Sequence, residues 1–198
     1  MPNLIDELLP YVPDLVISQI SKSNKFPEKP TTESFKAAAL FADISGFTSI
    51  TEQLVARGPQ GVEMLSRILN DYFGKLTRQI ADHGGDVVNF AGDSLLGIWK
   101  LEDDKQPSNI VESVLRCAHR IQKELHGYET GISAKLSMRM GIGLGDTRAF
   151  YLGGVGDNWE FILTGDSITQ AHFAEKTSMP GDVLLSSKVW DVINVNSG

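Results

Sequence analysis

The stretch Phe41-Ala-Asp-Ile-Ser-Gly-Phe-Thr-Ser-Ile-Thr51 ends an apolar run on an acidic residue and then turns through small polar residues. Lys36 to Ile44 reads as a central buried strand. Ser45-Gly46-Phe47-Thr48 then opens a helix whose first N–H groups lack intrahelical acceptors and carry the positive end of the helix dipole. A strand that delivers Asp43 to such a turn is either a plain strand-to-helix corner or half of a site for a cation and a phosphate.

Working outward, helical spacing runs from Phe47 to His83, divided at Arg57-Gly58-Pro59 and stopped by Gly84-Gly85. Two short apolar runs, Val87–Phe90 and Leu95–Trp99, flank Ala91-Gly92-Asp93-Ser94 and predict a hairpin. Asn109–Leu125 is an amphipathic helix and Leu136–Leu144 a strand. Phe150–Leu163 reads as a strand pair around Gly153–Asp157, followed by a helix over Asp166–Lys176, a strand over Val183–Leu185 and a helix over Ser187–Ile193. The order βαββαβ, with additions at its end, predicts an α+β, ferredoxin-like fold: a mainly antiparallel sheet with helices on one side. Upstream, residues 1–34 read as a short amphipathic helix and an extended, proline-containing arm, leaving 35–198 as the main domain.

The 198 residues are 41% hydrophobic and 22% charged, a globular composition, and the net charge of −7 argues against a nucleic-acid surface. The N-terminus lacks the basic start and unbroken apolar run of a signal peptide, and no window approaches the ~20 apolar residues of a membrane span. The cytoplasm is the expected compartment. Cys117, the only cysteine, excludes a disulfide framework and a thiolate zinc site and is expected to be a packed core thiol.

In a βαββ arrangement the hairpin turn lies beside the end of the first strand, so Asp43 and Asp93 are expected to meet at one sheet edge. Two carboxylates at close range repel unless one is protonated or a cation lies between them. Mg²⁺ takes oxygen ligands, often from one or two carboxylates plus substrate phosphates. With the α-helix start behind Asp43, this makes a coherent triphosphate site. Spacing alone leaves a second reading open, two unconnected turn aspartates.

FADISGFT followed by HGGDVVNFAGDSLLGIW resembles the catalytic domain of the class III nucleotidyl cyclases, the adenylyl and guanylyl cyclases. The likeness is to the first of the two cyclase domains of the bicarbonate-responsive soluble adenylyl cyclases. It runs from about Leu8 to Trp190 and takes in LPYVPDLVI, RMGIGLGDT, GDNWEFILTGDSI and MPGDVLLS. The related diguanylate cyclase signature is not met by Gly84-Gly85-Asp86-Val87-Val88. The resemblance implies that Asp43 and Asp93 are the catalytic carboxylates and hold two divalent ions, Mg²⁺ or Mn²⁺, with the Ile44 backbone carbonyl as a further ligand. It implies that Ser45, Gly46, Phe47 and Thr48 receive phosphate and that Arg139 contacts it; the alternative for Arg139 is an outward strand residue. The activity implied is attack of the ribose 3′-hydroxyl of ATP on the α-phosphorus, with loss of pyrophosphate.

The chain also departs from the pattern. Asn89 stands where the family places a base-reading lysine. On the later helix Thr169 replaces the ribose-binding asparagine, and Phe173 replaces the arginine that stabilises the transition state. A homodimer of this chain would therefore lack those groups. The expected partner is a second cyclase domain carrying Lys, Asn and Arg, and the chain alone is expected to be inactive or nearly so. Because the sequence ends just past its last helix, that partner is expected further along the same polypeptide. The resemblance also places an activator pocket at Asn89 and His172, although both fixed charges of the bicarbonate site are missing there; the alternative for His172 is a satisfied helix histidine. A rival reading is a silent pseudo-cyclase that dimerises or senses a small anion such as bicarbonate.

Overall fold

The computed structural model describes residues 12–23, 29–102, 105–155 and 158–195. In chain order the elements are α1 (Asp14–Ser23), β1 (Thr31–Ser45), α2 (Phe47–Val55), α3 (Pro59–Asp82), β2 (Asp86–Ala91) and β3 (Ser94–Lys100). There follow α4 (Pro107–Leu125), β4 (Tyr128–Glu129), β5 (Lys135–Val155), β6 (Asn158–Gly165), α5 (Asp166–Thr177), β7 (Val183–Leu185) and α6 (Ser187–Val195).

The strands form one seven-stranded sheet with the path β2-β3-β1-β5-β4, and both β6 and β7 also pair with β5. Its first four members, in the order β2-β3-β1-β5, are the antiparallel ferredoxin-like arrangement expected from βαββαβ. Only β7 runs parallel to its neighbour, through Met140, Gly141 and Ile142.

Alternation along β1 divides the molecule. Ala38, Leu40, Ala42 and Ile44 face the main core, where they meet Ile50 and Leu54 of α2, Tyr72 and Leu76 of α3, and Val114 and Ile121 of α4. Each of the larger aliphatic side chains among them contributes about 1.5–3 kcal/mol by leaving water. Cys117 lies in this core as expected; burial pushes its thiol up to about 12, which leaves it inert as a nucleophile.

The other face carries Ala37, Ala39, Leu96 and Ile98 under Leu15 of α1 and Ala171 of α5. The main helical layer thus lies on one side, and α5 is added on the opposite side. Sequence spacing did not separate the two. Alternate glycines of β5 explain how α5 approaches: a Cβ on Gly141 would lie 2.0 Å from the Ala171 carbonyl oxygen, and one on Gly143 would lie 2.1 Å from that of Ser167. Helix backbone rests directly on strand backbone, and the buried hydroxyls of Thr147 and Ser167 clasp it at 2.6 Å.

Two elements differ in extent from the sequence reading. β1 starts at Thr31 rather than Lys36, so its first residues were assigned to the arm. β5 is continuous where two strands were expected, because β1 pairs with it without interruption from Thr31↔Tyr151 to Ser45↔Ser137. β1 on one edge, joined from Thr147 by β6 on the other, supplies the ladder through Gly145–Ala149 and overrides the local break signal. The break at Gly58-Pro59 does hold, with Pro59 in the first turn of α3. The short amphipathic helix expected within the first 20 residues is met by α1 over Asp14–Ser23; residues 1–11 and part of the Gly153–Asp157 turn lie outside the described residues.

Candidate functional site

Asp43 lies two residues before the end of β1 and alternates with Ile44, so its side chain belongs to the α5 face while Ile44 is buried in the main core. The register places Asp43 opposite Ser94 on β3 and opposite Arg139 on β5. Both neighbours engage it: the Ser94 hydroxyl donates to Oδ1 at 2.9 Å, and Arg139 Nη2 lies 2.7 Å from Oδ2.

The β2–β3 turn folds back on the end of β1. The Ile44 N–H donates to the carbonyl oxygen of Asp93 at 3.1 Å, so Asp93 is next to Asp43 across the strand pair. Asp93 is partly exposed, and among the described residues no side chain pairs with its carboxylate. The two aspartates separated by fifty positions in sequence therefore share one corner of the sheet.

Directly behind that corner, Gly46 precedes α2 in the left-handed region at φ 95°, and no side chain caps the helix. A Cβ there would lie 2.4 Å from the Lys135 carbonyl oxygen, so Gly46 is required by the close approach of β5 as well as by its own conformation. The side chain of Phe47 packs against the main core, which leaves only its backbone N–H for an anion. Thr48 is exposed, and Ser45 is partly buried at the end of β1.

Arg139 is not an outward strand residue. Besides Asp43 it meets Glu175 of α5, with Nε 2.8 Å from Oε1. Glu175 has no exposed surface, and neither of its oxygens has a hydrogen-bond donor, because the Arg139 contact is close but poorly aligned. Sequence reading missed Glu175 and Ser94. The signal for Glu175 was present: Ser167, Ala171, Ala174 and Glu175 form the buried stripe of α5 at helical spacing, and three of those four residues are small.

Asn89 and His172 both lie on the α5 side of the sheet, two strands apart. Asn89 lines a groove of about 200 Å³ with Leu96, Phe161 and Leu163. His172 packs edge-on against Phe41, with ring centroids 4.9 Å apart, and lies 3.8 Å from Glu175 Oε2. Leu96 and Phe41, which pair in register, stand between them. On the outer side of α5, Phe173 is 72% exposed. Together with Thr169 and Leu184 it lines an open groove of about 520 Å³.

Among the described residues no group of three or more His, Cys, Asp or Glu side chains is placed to hold a metal. The corner carries two carboxylates, those of Asp43 and Asp93. Arg139 already sets one positive charge against Asp43 Oδ2. Hard oxygen donors that accept a cation with few protein ligands suit Mg²⁺ or Mn²⁺ completed by substrate phosphates.

The corner, the helix start and the ferredoxin-like sheet define a nucleotidyl cyclase domain: residues 30–197 match the adenylate and guanylate cyclase catalytic domain, and the chain belongs to that family. It is 30% identical to adenylate cyclase type 10 of Rattus norvegicus over 190 residues, which is 95% of this chain. The Homo sapiens protein of the same name is 29% identical over 92% of the chain. The chain spans 11% of the length of either relative. In fold it is similar to the adenylyl cyclase CyaB from P. aeruginosa, with a TM-score of 0.71 at 23% identity over 83% of both chains. The guanylate cyclase domain of RhGC from Catenaria anguillulae, solved in complex with GTP, gives 0.66 at 22% identity over 81% of this chain and 84% of that one. Among the described residues no helix is long and apolar enough to cross a membrane.

Proposed function

We propose that this chain is the metal-supplying half of an adenylyl cyclase, converting ATP to cyclic AMP and pyrophosphate once a complementary cyclase domain completes the site. The observation that supports the reading is the Ile44–Asp93 backbone hydrogen bond, which brings the turn carrying Asp93 to the end of the strand carrying Asp43. Asp43, Asp93 and the Ile44 carbonyl would hold two divalent cations. When bound, these supply the charge that activates the ribose 3′-hydroxyl and offsets the negative charge of the departing pyrophosphate.

The chain's own residues bind and orient. Ser94 holds Oδ1 of Asp43, and Arg139 sits against Oδ2. The uncapped N–H groups at the start of α2 receive phosphate oxygens, with Ser45, Gly46, Phe47 and Thr48 forming the turn. Arg139 adds a fixed positive charge. Thr169 and Phe173 cannot supply a ribose-binding amide or a cation to the transition state, so those groups and the base-reading lysine come from the partner. A homodimer of this chain is accordingly silent. In this reading 1–34 is an appended helix and arm, 35–198 is the catalytic half, and the enzyme is cytoplasmic. The substrate is ATP by analogy with the type 10 adenylate cyclases.

Mixing the chain with a competent second cyclase domain and Mn²⁺ should yield cyclic AMP, and Asp43→Ala or Asp93→Ala should abolish it. Product formation unaffected by either substitution would refute the assignment.

Phe173 also favours a second reading, a regulatory pseudo-cyclase that dimerises or senses a small anion at Asn89 and His172. Calorimetry with Mn²⁺ and a non-reactive ATP analogue separates the two: metal-dependent nucleotide binding supports the enzyme half, and silence in the paired form supports the scaffold.

A further inference from the structure

Arg139 has two acidic partners on different elements. Its Nη2 lies 2.7 Å from Asp43 Oδ2 on β1, and its Nε lies 2.8 Å from Glu175 Oε1 on α5. The two contacts differ in kind. Asp43 also has the Ser94 hydroxyl, whereas Glu175 is fully buried with both oxygens lacking a hydrogen-bond donor. Its other basic neighbours are farther off, His172 Nδ1 at 3.8 Å and Lys176 Nζ at 3.9 Å. A buried carboxylate with unfilled acceptor sites is costly, and it is improved by any motion that brings donors to it. A guanidinium presents five N–H donors, and Arg139 spends few of them here.

We propose that Glu175 is a positioning residue that receives Arg139 when a divalent cation takes Asp43. This rests on the reading of Asp43 as a metal ligand. Arg139 is a resident competitor on Asp43 Oδ2. An arginine cannot escape by losing its proton, so an arriving cation must displace it rather than neutralise it. At contact range the repulsion between the two cations drives the guanidinium off Asp43. Glu175, already touching Nε and short of donors, is the acceptor on the other side. The displaced guanidinium therefore stays beside the site, where a triphosphate can use it, instead of swinging into solvent. Glu175 sets how strongly Arg139 competes, because its charge offsets the positive charge an incoming cation meets.

The test is Mn²⁺ binding to the 198-residue chain without nucleotide, followed by calorimetry and by the electron paramagnetic resonance of free Mn²⁺. Glu175→Gln, which leaves the guanidinium no second carboxylate, should weaken binding roughly five- to tenfold. The double variant Arg139→Gln/Glu175→Gln, which replaces the ion pair by two neutral amides and is the safer variant to fold, should bind several-fold more tightly than the unsubstituted chain. Asp43→Asn is the control and should not bind. Opposite shifts in the two variants support the proposal, since a purely structural tie would lower the melting temperature of both and leave Mn²⁺ affinity unchanged. Equal affinity in the unsubstituted chain and both Glu175 variants overturns it with the metal reading intact. No binding by the unsubstituted chain, or equal binding by Asp43→Asn, overturns the metal reading and this proposal together.

Discussion

The Ile44 N–H and the Asp93 carbonyl oxygen are joined by a 3.1 Å hydrogen bond that pins the β2–β3 turn to the end of β1. The bond is made by backbone, so it survives any change of the Asp93 side chain. Asp93→Asn should therefore leave the melting temperature within a few degrees of the original, and the paired enzyme should lose cyclic AMP formation by at least about a hundredfold. Ser94→Ala removes only the 2.9 Å support of Asp43 and should cost about tenfold, the scale of one hydrogen bond to a charged group. Thermal melts alongside product assays separate the two effects.

Gly46→Ala should destabilise the fold by about 1–3 kcal/mol, because a side chain at φ 95° is strained and its Cβ would lie 2.4 Å from the Lys135 carbonyl oxygen. Urea denaturation measures the loss. The same shift moves the start of α2, so phosphate-dependent binding should weaken in the surviving folded fraction.

Phe173 is exposed, so replacing it should cost little stability. Phe173→Arg alone should leave the isolated chain silent, since Thr169 and Asn89 still lack the other two functions. Combining it with Thr169→Asn and Asn89→Lys should produce measurable cyclic AMP from a homodimer with Mn²⁺. A triple variant that folds, dimerises and binds Mn²⁺ yet makes no product would show that the missing half of the site is more than these three residues.

Asp86 accepts the Leu15 N–H at 3.0 Å and is raised above the ordinary aspartate value, chiefly by burial. A raised folded-state value means that the native protein holds the proton more tightly than the unfolded chain. This contribution to stability is fully present below the unfolded value and is lost as pH rises through the folded one. At neutral pH Asp86 therefore carries a burial cost that its backbone hydrogen bonds only partly offset. Asp86→Asn, whose amide oxygen can still accept from Leu15, should raise the melting temperature at pH 7 by a few degrees. The difference should shrink on acidification through the window between the ordinary and raised values, as followed by melts across pH.

Local pattern carried the sheet and most of its helices, because the apolar periodicities of β1, α3 and α4 report burial directly. The Gly58-Pro59 break and the Gly92-Asp93 turn were legible for the same local reason. What escaped was set by neighbours distant in sequence: β5 runs through its apparent break because β1 pairs with it throughout. The Asp43–Asp93 corner was legible because strand order places it, whereas Ser94 was passed over as a turn residue. Glu175 was hidden by its charge, since an acidic residue on a helix reads as solvated until the strand beneath it is known. The Phe41–Leu96 register pair between Asn89 and His172 was likewise invisible until the strand order was known.

The alternate glycines of β5 have a mechanical consequence. With Gly141 and Gly143 pressed against the carbonyls of α5, the height of that helix above the sheet is set by main-chain contact, and side-chain size has little say in it. Its inner surface is a rigid mount, while the outward positions Thr169 and Phe173 take no part in holding it there. The outer residues can be exchanged without tilting or lifting the helix. One scaffold can thus present a charged catalytic edge or a bare aromatic one at the same place in space, so two such domains can divide the tasks of a shared site without either having to refold.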